Sequence, residues 1–71
     1  KIKNIMIIGI YLASADDSIW FESRMKRKAK IIGKLPETKD GIQFEIEFTN
    51  EEDKERLDES LRLSSNVIVI S

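Results

Sequence analysis

The spacing of apolar residues divides this chain into six segments. Residues 2–12 form a nearly continuous apolar run rich in β-branched side chains, which is typical of a strand buried on both faces. Residues 42–48 alternate strictly between apolar and polar, which predicts a strand with one buried face. Residues 67–70 are all apolar and predict a short final strand. Between these strands, apolar residues four positions apart predict two amphipathic helices.

Polar residues mark where each predicted helix begins. The first helix is predicted over residues 17–27, with Ser14 or Asp16 as its cap, and the second starts after a cap at Thr49 or Asn50. Such side chains accept hydrogen bonds from the free amides of a first helical turn. Acidic residues follow both caps, where the positive end of the helix dipole favours them. The pairs predicted to face the sheet are Phe21 with Met25 and Leu57 with Leu61.

Residues 29–35 allow two interpretations. In the first, the helix continues to Ile32 and ends at Gly33. In the second, Ala29–Leu35 is a strand that turns through residues 36–41 and pairs with the next strand as an antiparallel hairpin. We favour the hairpin, because one register gives both faces of the pair suitable neighbours. That register sets Leu35 opposite Ile42, Gly33 opposite Phe44, Ile31 opposite Ile46, Ala29 opposite Phe48, Lys30 beside Glu47, and Lys34 beside Gln43 and near Glu45.

The order of elements is then strand, helix, strand, strand, helix, strand within 71 residues. This order predicts a ferredoxin-like βαββαβ fold of the α+β class, a two-layer sandwich in which two helices cover one face of a four-stranded antiparallel sheet. Right-handed crossovers place the first and third strands in the centre. The length fits one domain over residues 1–71, and the start at Lys1 rather than Met is compatible with a processed product or with a domain cut from a larger protein.

The composition removes several classes of chemistry. The chain contains neither Cys nor His, so disulfides, thiolate metal sites, imidazole bases and His-ligated zinc are excluded, and we expect no cofactor. A net charge of −1 gives no overall attraction to nucleic acid or to membranes. The longest apolar stretch, residues 5–13, is too short to insert across a membrane. A cysteine-free chain is consistent with a cytoplasmic protein.

Charged residues form a few candidate sites. Arg24, Arg27 and Lys28 are a basic patch that would contact phosphates or an acidic protein, although cations are also typical of a helix C-terminus. Asp16 and Asp17 are adjacent, so on a helix they point about 100° apart and are poorly placed to act on one atom. The acidic residues between positions 45 and 59 fit a strand face and a helix start better than a calcium loop, which needs alternating ligands around a glycine turn.

The third strand argues against nucleic acid as a partner. RNA-recognition domains of this architecture stack bases on aromatic side chains of their central strands. The outward positions of the third strand here are Gln43, Glu45 and Glu47, and carboxylates at those positions repel a phosphate backbone.

One face of the sheet is predicted to expose large apolar side chains. We place Ile5, Ile7 and Tyr11 of the first strand on the face without helices, beside the apolar last strand. Monomeric proteins rarely expose large contiguous apolar patches, so we expect a second copy of this chain or another protein domain to cover this one. Trp20 is a further candidate contact, since tryptophan is common among interface anchors, although core positions are more frequent for it.

The order of elements resembles that of ACT domains, which are amino-acid-binding regulatory domains. The C-terminal pattern is also similar, with an acidic helix followed by Leu-Ser-Ser-Asn and a short apolar strand. The resemblance implies a regulatory role, with a small-molecule effector near the turn after the first strand. Ser14, Asp16 and Asp17 are the ligand-binding candidates in that turn.

Two functions remain open at this point. The first is a non-enzymatic regulatory or protein-interaction domain that dimerises or docks through its apolar sheet face, so that Ile7→Lys would abolish association. The second is a small binder of nucleic acid or of an acidic protein through Arg24, Arg27 and Lys28. An enzyme is least favoured, because the usual acid–base residues are absent.

Overall fold

The computed structural model describes residues 7–70 as a sheet of four strands with two helices. In chain order the elements are β1 (Ile7–Ala13), α1 (Ala15–Lys28), β2 (Lys30–Lys34), β3 (Ile42–Phe48), α2 (Glu51–Ser64) and β4 (Ile68–Val69). The strands pair antiparallel in the order β2-β3-β1-β4, so β1 and β3 are central. The predicted ferredoxin-like α+β fold is confirmed, and so is the hairpin interpretation of residues 29–48.

Each helix begins at a polar side chain that replaces the missing intrahelical acceptor. Ser14 caps α1 and Asn50 caps α2, because each side-chain oxygen accepts a hydrogen bond from the backbone amide three residues later, at 3.2 and 2.8 Å. The alternative caps, Asp16 and Thr49, are not used. α1 therefore begins two residues before the predicted start and ends one residue after the predicted end.

A β-bulge changes the predicted register of the β2–β3 hairpin. The observed pairs are Lys30 with Glu47, Ile31 with Ile46, Gly33 with Glu45 and Lys34 with Phe44, with a shift between Ile31 and Gly33. The first two pairs are as predicted. The predicted partners of Gly33 and Lys34 are wrong, because one extra residue in a strand reverses the face of every residue that follows it.

The bulge turns Lys34 towards the helices. Its ammonium group donates a hydrogen bond to Glu22 Oε1 of α1 at 2.9 Å and lies 5.8 Å from the centre of the Phe44 ring. The Lys34 hydrogen bond, with a smaller effect of Lys26, lowers the pKa of the Glu22 carboxyl. Lys34 thus ties the edge of the sheet to α1 instead of pairing with Glu45 on the other face.

The core lies between the helices and one face of the sheet. It combines aromatic rings from both layers, with ring centroids of Phe21 at 5.3 Å from Phe44 and 5.8 Å from Tyr11, distances typical of favourable aromatic pairs. The buried apolar residues are Tyr11, Ala13, Phe21, Met25, Phe44, Ile46, Phe48, Leu61 and Val67.

Gly9 makes space for the ring of Tyr11. Residues two apart on a strand share a face, and the Tyr11 ring lies over the position where a side chain at Gly9 would stand. A Cβ atom added to Gly9 would lie 2.7 Å from both Cε2 and Cζ of Tyr11. This glycine is therefore required by packing and not by backbone conformation, since Gly41 is the one glycine with positive φ among the described residues.

Gly41 allows the β2–β3 turn to approach the end of β1. Its φ of 128° is one that L-residues rarely adopt, and an added Cβ would collide with the carbonyl oxygen of Ala13. The backbones of Thr38 and Gly41 exchange hydrogen bonds of 2.9 and 3.1 Å, which fixes the turn. The turn consequently lies against the backbone at Ala13 and Ser14, just before α1.

The two strand glycines provide a test of the packing at Tyr11. Gly9→Ala is expected to lower the free energy of unfolding by about 1–3 kcal/mol, the usual cost of overpacking a core. Gly33→Ala is the matched control: its Cβ would meet mainly Glu45 Oε1 at 2.8 Å, and that side chain can move away. We expect Gly33→Ala to leave stability unchanged or raise it by up to about 1 kcal/mol. Urea denaturation followed by circular dichroism measures both, and equal losses would contradict this account of Gly9.

Candidate interaction surfaces

The face of β1 predicted to be open is the face that packs against the helices. Tyr11 is fully buried, and Ile7 is partly buried against the core cluster. These two interface assignments are therefore wrong, and Ile7→Lys would test the core instead of a surface. Ile5 lies outside the described residues.

The face was misassigned because both faces of β1 are apolar, so its own sequence does not distinguish them. Pairing with β3 does distinguish them: Ile7, Gly9 and Tyr11 lie opposite Phe48, Ile46 and Phe44, the inward side chains of β3. Cross-strand partners share a face. The alternation of Gly9 and Ala13 with Tyr11 was the available signal, since small residues leave space for an aromatic ring beneath a helix.

Five aliphatic side chains form a continuous strip on the helix-free face of the sheet. Ile68 is paired with Leu12, and the backbone amide of Ile70 donates to the carbonyl of Ile10 at 2.8 Å. Ile68 and Ile70 remain 59% and 51% exposed. The strip, hereafter the apolar strip, consists of Ile8, Ile10 and Leu12 of β1 together with Ile68 and Ile70 at β4.

Polar residues of β3 border the apolar strip along its whole length. Gln43, Glu45 and Glu47 are the cross-strand partners of Leu12, Ile10 and Ile8, respectively. The outward direction predicted for these three residues is confirmed. All aromatic rings of the described strands point towards the helices. The helix-free face thus has an apolar half and an acidic half and offers no stacking platform for bases.

The two edges of the sheet differ in how they resist pairing with other chains. β2 carries Lys30, Lys34 and a bulge, all of which discourage edge-to-edge association. β4 lies at the opposite edge and contains no charged residue from Val67 to Ile70, so among residues 7–70 its short length is its one protection. This less protected edge and the apolar strip are next to each other.

The proposed effector residues belong to the cap of α1. Ser14 Oγ donates to Asp17 Oδ2 at 3.0 Å, and Trp20 Nε1 donates to Asp17 Oδ1 at 3.0 Å. The Trp20 bond, followed by the Ser14 bond, lowers the pKa of the Asp17 carboxyl. Asp16 is exposed in the first turn. Both carboxylate oxygens of Asp17 are therefore engaged within the helix start, and Trp20 lies on the helix layer, away from the open sheet face.

The basic patch is divided between two sides of α1. Arg24 and Lys28 lie on the side facing α2, where Arg56 of α2 joins them along the space between the helices. Arg27 does not line that space. Sequence reasoning missed Arg56 because its role depends on how α2 is placed beside α1.

A buried polar group links β1 to α2. The Tyr11 hydroxyl donates to Asp58 Oδ1 at 2.7 Å, and Lys54 Nζ donates to Asp58 Oδ2 at 2.7 Å. Burial, and then the hydrogen bond to Asp58, raise the pKa of the Tyr11 phenol far above its ordinary value of 10.0. The folded chain therefore keeps Tyr11 protonated, and Asp58 is satisfied by two donors.

Comparison with known proteins identifies no relative of this chain. No protein-family model matches the chain, and neither the curated proteins nor the solved structures contain a significant match. Among residues 7–70, neither helix is long and apolar enough to cross a membrane.

The raised pKa of Tyr11 predicts a loss of stability in alkali. Because the folded state holds the proton and the unfolded state releases it at about pH 10, the contribution is complete below pH 10 and decreases as the pH rises above that value. Tyr11→Phe is expected to cost about 1–3 kcal/mol at neutral pH, and the difference from the wild type should shrink above pH 10.

Tyr11 is the only tyrosine, so its ionisation can be followed directly by ultraviolet absorbance. We expect tyrosinate to appear together with the loss of circular dichroism. Ionisation with a midpoint near pH 10 in a chain that is still folded would contradict the buried hydrogen bond.

Proposed function

We propose that this chain is a non-enzymatic interaction domain that self-associates through the apolar strip. The observation that supports the proposal is the exposure of Ile68 and Ile70 beside Ile8, Ile10 and Leu12 on the sheet face that neither α1 nor α2 covers. Burial of large aliphatic side chains is worth roughly 1.5–3 kcal/mol for each residue that is fully covered. Ile68 and Ile70 have most of this area still to bury, and the partly buried Ile8, Ile10 and Leu12 extend the same apolar contact surface.

A second copy is the partner that the strip fits best. A two-fold interface brings the same patch of each subunit together, so the patch must be compatible with itself. An uncharged aliphatic strip meets this condition, whereas the neighbouring acidic half does not, because Glu45 and Glu47 would oppose glutamates of the partner. The favoured arrangement is therefore an offset pair that buries the strips at the β4 edges and leaves the glutamates in water.

The observations support self-association more strongly than regulation by an amino-acid effector. The turn after β1 is occupied by the helix cap, and both Asp17 carboxylate oxygens already accept hydrogen bonds. An ACT-like regulatory role would need a ligand to replace those bonds. The Ser14 hydroxyl that donates to Asp17 belongs to the cap of α1, and the Tyr11 hydroxyl that donates to Asp58 is buried in the core, so neither pair supports an enzymatic role.

The proposal predicts that the apparent mass rises with protein concentration, and that one charged residue in the apolar strip prevents this association. Sedimentation velocity of the wild-type chain should show a species of twice the monomer mass that grows with concentration. Ile68→Lys should give a monomer throughout the same range, because a dimer would bury an unpaired ammonium in the strip. Ile68 is over half exposed, so the fold should tolerate the change.

Ile19→Lys is the matched control. Ile19 is 74% exposed on α1, away from the sheet, and the substitution introduces the same charge in place of the same residue type. Ile19→Lys should dimerise like the wild type. The proposal fails if the wild-type chain stays monomeric at millimolar concentration, or if the two variants behave alike while circular dichroism shows both to be folded.

A further inference from the structure

We infer that the groove between α1 and α2 binds an amphipathic anion, namely a small molecule with an apolar body and a carboxylate or phosphate head. The groove lies on the helix layer, on the other side of the molecule from the apolar strip. Its volume is about 440 Å³, within the range of pockets that hold small organic ligands. This inference is independent of self-association through the sheet.

The floor of the groove is apolar. Met25 of α1, Phe48 of β3, and Leu57 and Leu61 of α2 line it. Met25, Phe48 and Leu61 are buried core residues, so the floor is held in place by the packing of the whole domain. An apolar ligand body would contact a fixed surface that needs no rearrangement, which lowers the entropic cost of binding.

The rim of the groove is positively charged. Arg24 and Lys28 line it from α1 and Arg56 from α2, whereas Asp53 is the single lining carboxylate. Among the described residues, none of these three cations has an ion-pair partner within 4.0 Å. The concentration of positive charge contrasts with the net charge of −1 for the whole chain. An anion is therefore the ligand whose head complements this rim.

The groove is open because α2 places a small residue opposite α1. Ser60 lines both the groove and an adjoining cavity of about 340 Å³, together with Trp20, Arg24 and Leu61. The Trp20 ring is held there by its hydrogen bond to Asp17 and lies 5.9 Å from the Arg24 guanidinium. A larger side chain in place of Ser60 would fill part of the groove between the two helices. The indole is therefore an apolar part of the groove wall next to Arg24.

Alkyl carboxylates test this inference with a built-in reporter. Trp20 is the only tryptophan, so its fluorescence reports on the groove directly, and titration calorimetry supplies an independent affinity. Sodium decanoate below its micelle concentration should bind saturably. Acetate lacks the long alkyl chain, and decyltrimethylammonium carries a positive head group in place of the carboxylate, so neither should bind. Shortening decanoate to octanoate should weaken binding about twofold to fourfold for each methylene removed.

Single substitutions distinguish binding in the groove from binding to other surfaces of the domain. Arg24→Ala and Arg56→Ala should each weaken decanoate binding roughly fivefold or more, and Ser60→Phe should abolish it while leaving the fold intact. Arg27→Ala is the matched control, since it removes an exposed arginine from α1 that does not line the groove, and it should change nothing. Phosphate-headed decyl phosphate should follow the same pattern.

Three results would overturn the inference. The first is absence of saturable decanoate binding by the folded wild-type chain. The second is equal loss of affinity in Arg27→Ala and Arg24→Ala, which would indicate general charge attraction instead of a site. The third is loss of binding in Ile68→Lys with retention in Ser60→Phe, which would place the alkyl chain on the apolar strip.

Discussion

The position of Tyr11 is the constraint on which the rest of the structure depends. Its ring lies over Gly9 and packs against Phe21, and its hydroxyl donates a hydrogen bond to Asp58 on α2. The bond fixes the second helix over a central strand and leaves no buried side-chain polar atom of the described residues unpaired. A domain of this size has little stability to spare, so one buried hydrogen bond accounts for a substantial part of it.

The same contact decides which surfaces the molecule presents. Once Tyr11 faces the helices, the alternation of β1 turns Ile8, Ile10 and Leu12 outwards, where the β4 isoleucines extend them to the edge of the sheet. The surface proposed for association therefore consists of the β1 residues that alternate with those first assigned to it, together with Ile68 and Ile70. The interaction role that we propose therefore rests on a different set of side chains.

The helix layer carries a second surface of different character. α2 has three leucines, of which Leu57 and Leu61 are directed to the core and Leu63 is exposed, and its side facing α1 is lined by Ser60 and Arg56. The two helices are consequently separated by a groove with an apolar floor and a basic rim. The proposed association through the sheet and the proposed ligand binding in the groove would use opposite sides of the domain, so each can be tested without disturbing the other.

Sequence patterns were sufficient for the element order, the central strands and the outward glutamates of β3. They limited each helix cap to two candidates, of which the structure uses Ser14 and Asn50. These features follow from local periodicity and local hydrogen bonding, which depend on residues close together in the sequence and not on tertiary contacts. The face of β1 and the bulge before Gly33 were decided only by tertiary packing. A strand that is apolar on both sides has no preferred face until its neighbours pair with it, and the space between two helices exists only after both have docked on the sheet.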